Sequence, residues 1–395
     1  MHQLGRIRIA QTAGYFASFL VFGMGVAALG PALPSLAEHT GSTLGQISVV
    51  FATAAGGYLL GALVAGTLFD RLPGHTVLVS VLVLMAGMAA LIPITGSLWL
   101  LTFLFLFFGV AQGVVEVGAN ALLLWVHTDD AGPFVNALHF FFGGGALLAP
   151  VGIAVATRVT GDLAWFFWSF ALLVLPVAIW LVILPSPQRS GGLAPGSRGS
   201  GRGPLAILRS TALVPLTALF FFLYAGAEHS YGGWIASYAQ ALEMASEAGA
   251  AYFASAFWAS ITVGRLLAVP AAARFRPQTI VTAALAGSLA SVALVLLWPG
   301  RVWLLWLGTV GLGLSLAAIV PTTLALMGRR IGATSQATAW FFVGLGAGKM
   351  AMPWTIGQFF DNAGPQSLFV VIGLVLVAAM GLFAALAAVK TAPRG

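Results

Sequence analysis

Residues 76–95 read TVLVSVLVLMAGMAALIPIT and residues 366–389 read QSLFVVIGLVLVAAMGLFAALAAV, and neither stretch contains a charged side chain. Both are continuously apolar, whereas a strand of a membrane barrel alternates apolar and polar positions. Both also reach the roughly 20 residues that a helix needs to cross the hydrocarbon core of a bilayer. Only helices and closed barrels satisfy their own backbone groups there, so the uninterrupted pattern leaves the helix. Composition extends this reading to the whole chain. Of 395 residues, 60% are hydrophobic and 7% charged, against about a quarter charged in a typical soluble domain. Seventeen Lys and Arg with ten Asp and Glu cannot clothe a soluble body of this length.

Divided at Pro, Gly and charge clusters, the chain is expected to hold twelve spans. They cover residues 11–36, 44–68, 76–95, 98–126, 133–156, 162–184, 211–240, 246–270, 278–298, 302–327, 333–357 and 365–389. The first is too long for a cleaved signal peptide and lacks a small-residue cleavage site, so it reads as a retained helix. Residues 185–210, rich in Gly, Ser and Pro, read as a flexible linker. The expected domains are therefore residues 1–184, a linker at 185–210, and residues 211–395. With the N-terminus cytoplasmic, that side holds Arg6, Arg8, Arg71, Arg189, Arg198, Arg202, Arg209, Arg274, Arg276, Arg329, Arg330, Lys390 and Arg394. The opposite side holds Arg158 and Arg301. Thirteen against two predicts a multi-pass protein of the cell (inner) membrane with both termini cytoplasmic. The net charge of +7 thus reflects topology and anionic lipid, and implies no nucleic-acid partner.

A constant offset of 203 residues relates the two halves. It pairs Gly23 with Gly226, Gly30 with Gly233, Gly61 with Gly264, Arg71 with Arg274, Gly143 with Gly346, Gly145 with Gly348 and Pro150 with Pro353. The pairs fall at equivalent depths of helices 1 and 7, 2 and 8, and 5 and 11. Six helices per half give both halves the same direction across the membrane. That is a parallel repeat, with a substrate site expected near the midplane between the halves.

The loop after the second span reads Gly66-Thr-Leu-Phe-Asp70-Arg71-Leu-Pro-Gly74-His75. It resembles the Gly-x-x-x-Asp-Arg-x-Gly-Arg/Lys signature of the major facilitator superfamily, with Pro73 inserted and His75 at the last basic position. In the second half Ala273 replaces the acidic residue before Arg274. Gly113-Val-Val-Glu116-Val-Gly-Ala-Asn120 and Asn136-Ala-Leu-His139-Phe-Phe-Phe-Gly143 are similar to the fucose–proton symporter family. Tyr224-Ala-Gly226-Ala-Glu228-His-Ser-Tyr-Gly232-Gly-Trp234 is similar to its sodium-dependent glucose transporter branch. The resemblance implies an all-α membrane protein of twelve transmembrane helices in two six-helix bundles, and a functional acidic residue at Glu116.

Ionisable groups inside membrane helices cost about 2.5–3.5 kcal/mol on insertion scales, so the few present are candidates for function. Gln112, Glu116 and Asn120 are spaced i, i+4, i+8 and form one polar stripe. Donors and acceptors together suit sugar hydroxyls, and a buried carboxylate is able to carry a proton. Asn136 and His139, one turn apart on helix 5, are further substrate candidates. Glu228, flanked by Tyr224 and Tyr231, is expected to couple an ion, with Gly226, Gly232 and Gly233 permitting either a kink or a close-packed helix. Lys349 is expected either to act as a built-in cation or to snorkel or form a static pair. Trp234 and Trp340 are candidate platforms for pyranose faces, while Trp99, Trp165, Trp168, Trp303 and Trp306 fit interfacial belts. Asp70, Arg71, Arg265 and Arg274 are expected to latch the cytoplasmic gate. The Gly143–Gly145 run and Gly344, Gly346 and Gly348 suit close helix approach.

Without cysteine, thiolate metal sites and disulfides are excluded. No phosphate-binding loop or nucleophile–base constellation points to an enzyme or a cofactor; Asp129-Asp130 reads as a helix cap. The expected function is sugar transport, of hexoses such as glucose, galactose or fucose, by a monomer in lipid, driven by H+ or Na+. The rivals are an amphiphile exporter, suggested by 28 phenylalanines, and a non-transporting membrane sensor or scaffold.

Overall fold

The computed structural model describes residues 2–127, 131–187, 212–331 and 335–389. Asp129-Asp130, residues 188–210 of the expected linker with its four arginines, Lys390 and Arg394 lie outside the described residues.

Twelve helical rods account for nearly all of the rest, and no strand occurs among the described residues. They are α1 (His2–His39), α2 (Leu44–Arg71, interrupted at Ser48), α3 (Gly74–Leu91), α4 (Leu98–Val126), α5 (Gly132–Thr160) and α6 (Ala164–Ile183). The second half holds α7 (Leu213–Ala241), α8 (Glu247–Arg274), α9 (Pro277–Leu297), α10 (Val302–Arg330, in two segments), α11 (Ser335–Ala363) and α12 (Ser367–Ala388). Eleven of them are long and apolar enough to span a bilayer. The remaining one, α11, has 29 residues like its repeat mate α5, but Lys349 and its glycines and tryptophans dilute its hydropathy. Most helices outrun their apolar spans, because the helix persists where the chain leaves hydrocarbon and meets water. α1 begins at His2 rather than at residue 11.

Local chemistry sets the ends. Thr43 and Gln46 form a reciprocal capping box at the start of α2, satisfying two orphan donors. Gly161, at φ 72°, ends α5 in the left-handed region, where glycine carries no Cβ penalty. Arg330 donates to the Leu386 carbonyl at 2.6 Å, supplying a cation to the last turn of α12,.

The chain forms two compact units. The first comprises Met1–Leu193 with Ile235–Ser255, and the second Ala194–Trp234 with Ala256–Gly395. In the first unit α1 packs on α5 and α2 on α4, through glycines. A Cβ on Gly145 would overlap the Leu20 carbonyl, one on Gly23 the Phe142 carbonyl, and one on Gly113 the Tyr58 carbonyl. The start of α8 belongs to this unit: Ser35 donates to the Glu247 carboxylate, and Ser255 to the Leu147 carbonyl at 3.1 Å.

In the second unit the packing recurs. A Cβ on Gly348 would overlap the Phe222 carbonyl, and one on Gly264 would press on the Leu314 carbonyl at 2.9 Å. Gly145 and Gly348, and Gly61 and Gly264, obey the 203-residue offset, and their partners obey it to within one residue. The repeat is therefore a repeat of contacts, not only of letters. α7 is an unbroken helix through Gly226, Gly232 and Gly233, the close-packed of the two forms those glycines allow.

Large apolar side chains cover the outside of both units. Leu63 is 76% exposed, Leu172 67%, Val269 71% and Leu374 66%. In water such a surface aggregates; in lipid it is solvated.

Gly145→Val is expected to lower the unfolding temperature of the detergent-purified protein, because overpacking a close contact costs about 1–3 kcal/mol. Gly87→Ala, where a new Cβ meets open space, should be neutral or slightly stabilising. Intrinsic fluorescence melts compare the two, and equal melting temperatures would contradict the assigned packing.

Candidate functional site

Glu116, the centre of the polar stripe on α4, faces α2 because glycine lets the two helices approach. Gly57 and Gly61 on α2 meet the Leu106 and Val110 carbonyls, and Gly109 and Gly113 on α4 meet the Ala54 and Tyr58 carbonyls. At that separation the Tyr58 hydroxyl reaches across and donates to Glu116 Oε2 at 2.5 Å. Gln112, one turn earlier, is 6% exposed; its Nε2 lies beside Gly25 and Phe108 and has no hydrogen-bond partner. Asn120, one turn later, turns its amide back to the Glu116 carbonyl at 2.9 Å. On α5, Asn136 and His139 are exposed. The His139 ring meets Phe19 edge-on, with centroids 5.5 Å apart at 87°.

The second unit holds a charge cluster. Glu228 is 5% exposed. Tyr224 donates to its Oε1 at 2.8 Å, and His229 Nδ1 stands 3.4 Å from its Oε2. Arg265 of α8 and Lys349 of α11 act on the same carboxylate. The Tyr231 hydroxyl pairs with Thr309 at 2.7 Å.

Trp234 is fully enclosed, donates to the Pro353 carbonyl at 2.9 Å and stacks on Phe360. Its N–H and a ring face are thus committed to α11, a packing role and not an open sugar platform. Arg265 lies nine residues before the end of α8, deeper in the helix than the other gate candidates. Asp70, Arg71 and Arg274 are exposed at helix ends as expected, and Trp340 is half-buried on α11.

Sequence reasoning missed the partners. Tyr58 is 58 residues from Glu116, and its only advance signal is a lone tyrosine among the glycines of α2. His75, read as a loop residue, is 4% exposed. Its Nδ1 lies 3.0 Å from the Leu184 carbonyl and its Nε2 2.9 Å from the Tyr15 hydroxyl. A carbonyl only accepts, so in the neutral ring Nδ1 carries the hydrogen and Tyr15 donates to Nε2. With Gln11 donating to the Pro185 carbonyl at 2.8 Å, this pins the end of α6 to α1 and α3.

Glu228→Gln strips the carboxylate from two cations. The expected loss is no more than about 3 kcal/mol, the low end for breaking a buried pair, because both cations are half-buried. Adding Lys349→Met should recover part of it. A thermal-unfolding double-mutant cycle checks this, and independent, additive effects would contradict the coupling.

Known proteins share both the sequence and the architecture. The family profile described as Major Facilitator Superfamily matches residues 15–332. Sodium-dependent glucose transporter 1A of Mus musculus is 32% identical over 374 residues, covering 87% of this chain and 88% of that protein. Sodium-dependent glucose transporter 1 of Homo sapiens is 28% identical over 376 residues, covering 86% and 72%. Among solved structures, the nucleoside transporter NupG superposes with a TM-score of 0.82 at 13% identity, over 97% of this chain and 100% of that one. A bacterial homolog of the human lysosomal transporter Spinster, inward-facing and unoccupied, gives 0.72 at 12% identity over 98% and 95%. At those identities the two structures speak to the fold alone. With its twelve helices, its repeated bundle contacts and a profile match over most of its length, the chain belongs to the Major Facilitator Superfamily, as a multi-pass secondary transporter of small molecules and not an enzyme.

Proposed function

We propose that this protein carries hexoses such as glucose, galactose or fucose by alternating access, and that Glu116 couples the movement to protons. The observation that carries the proposal is the Glu116 carboxylate on the Tyr58 hydroxyl at 2.5 Å. In this reading the Tyr58 hydroxyl holds the carboxylate in place, and a charge at that depth of a membrane helix is costly unless a proton or a partner neutralises it. Gln112, with an unpartnered buried amide nitrogen, and Asn120 line up with it and offer both donors and acceptors to sugar hydroxyls. The names of the mammalian relatives support the sugar class.

Asn136, His139 and Trp340 complete the set of sugar contacts in this reading. Asp70, Arg71 and Arg274 hold the cytoplasmic gate. The protein works as a monomer in the cell (inner) membrane with both termini cytoplasmic, a topology supported by the thirteen-to-two distribution of basic residues.

Uptake into proteoliposomes tests the reading with a panel of labelled hexoses. Saturable uptake that rises when an inward proton gradient is imposed is the expected result. Glu116→Gln should abolish accumulation while sparing exchange, and Tyr58→Phe should reduce accumulation. Absence of saturable hexose flux in every condition would sink the sugar reading, and accumulation by Glu116→Gln would remove Glu116 as the proton site.

A further inference from the structure

The sequence repeat assigns α7 and α8 to the second half, yet Ile235–Ser255, the stretch that joins them, packs within the first unit. Its repeat mate, residues 32–52 at the join of α1 and α2, stays with its own half. The two halves therefore depart from their repeat here, at the end of α1 far from the N-terminus. Two side-chain bonds hold the stretch in place. Ser35 of α1 donates to the Glu247 carboxylate in the first turn of α8. Ser255 of α8 donates to the Leu147 carbonyl of α5 at 3.1 Å.

These bonds have no counterpart across the repeat. The offset carries Ser35 to Tyr238, Glu247 to Leu44 and Ser255 to Ala52, and leucine and alanine have no polar side-chain group with which to form them. The glycine contacts recur because both bundles need them to pack. A pair of bonds made once serves something the bundles do not share. The join that carries Glu247 is also stiff. Only residues 242–246 separate α7 from α8. The Glu243 N–H donates to the Gln240 carbonyl at 2.9 Å and the Met244 N–H to the Ala239 carbonyl at 2.9 Å, the paired pattern that closes a helix end. Glu243 takes φ 53°, a left-handed conformation that persists in a non-glycine residue only where the surroundings hold it. The Glu247 carboxylate is half-buried, and its place in the first turn of α8 suits a negative charge. Water can replace the serine there, so the bond is exchanged at small net cost, as a gate requires.

We propose that Ser35 and Glu247 form the clasp that closes the transport path at the end of the molecule opposite Asp70 and Arg71, with Ser255 on Leu147 as its second point of attachment. In the orientation proposed above, this is the outer face. Opening there breaks both bonds and carries the 235–255 stretch, as one stiff piece, away from α1 and α5. The inference rests on the alternating access of the reading above and not on which sugar is carried.

Hydrogen–deuterium exchange of the full chain in lipid nanodiscs reads the clasp without any substrate. Ser35→Ala and Glu247→Ala should each raise exchange several-fold in residues 235–255 and at the end of α1. Both should also lower it at the opposite end, around Asp70, Arg71 and Arg274. Ser35→Thr keeps the hydroxyl and should restore the wild-type pattern. A rise confined to the 235–255 stretch marks a local contact and overturns the proposal, as does an unchanged pattern. The chain has no cysteine, so Ser35→Cys combined with Glu247→Cys can be bridged without background by a short bis-methanethiosulfonate. Bridging should stop labelled hexose uptake into proteoliposomes, and reductant should restore it. Uptake that continues through a bridged clasp overturns the proposal. Exchange that shifts at both ends in a protein without saturable hexose uptake removes the sugar reading and leaves the clasp standing.

Discussion

The cost of holding an ionised group inside hydrocarbon organises this molecule. Among the described residues, nearly every Lys, Arg, Asp and Glu lies at a helix end or in a loop, and the four that do not are Glu116, Glu228, Arg265 and Lys349. Lipid supplies no water to screen them, so each must be matched by the protein, by a proton or by a cargo. Glu116 is matched by a tyrosine hydroxyl, and Glu228 by a tyrosine, a histidine and two cations. These two solutions differ in kind.

The glycine contacts make both solutions geometrically available. Where α2 meets α4 and α7 meets α11, backbone lies directly on backbone, and only that approach lets a tyrosine or lysine of one helix serve a carboxylate of the next. The two units share this scaffold through the 203-residue repeat, yet they fill it differently. Unit one sets a carboxylate against a tyrosine hydroxyl; unit two sets one against a tyrosine and a histidine.

Much of the fold was legible before the structure. Helix number follows from apolar run length, because the backbone has no other way to cross lipid. The repeat follows from glycines whose positions are fixed by close approach. The bond between Tyr224 and Glu228 is also visible, since residues four apart on a helix meet. Contacts between helices are not visible in this way. Tyr58 and the commitment of Trp234 to Pro353 depend on how helices rotate and cross, and apolar runs look alike around their circumference. The same limit holds for Arg265, whose distance from a helix end says nothing about which neighbour it faces. His75 illustrates a further limit, because a loop motif reports the position of a residue but not its burial.

The account turns on a proton at Glu116, and its most direct measurement is a pH recording. Hexose is added to de-energised, lightly buffered proteoliposomes, and the external medium is followed with an electrode. The account predicts alkalinisation as sugar carries protons inward with the wild-type protein, and none with Glu116→Gln. Sugar entry without alkalinisation, or an equal signal from Glu116→Gln, would contradict it.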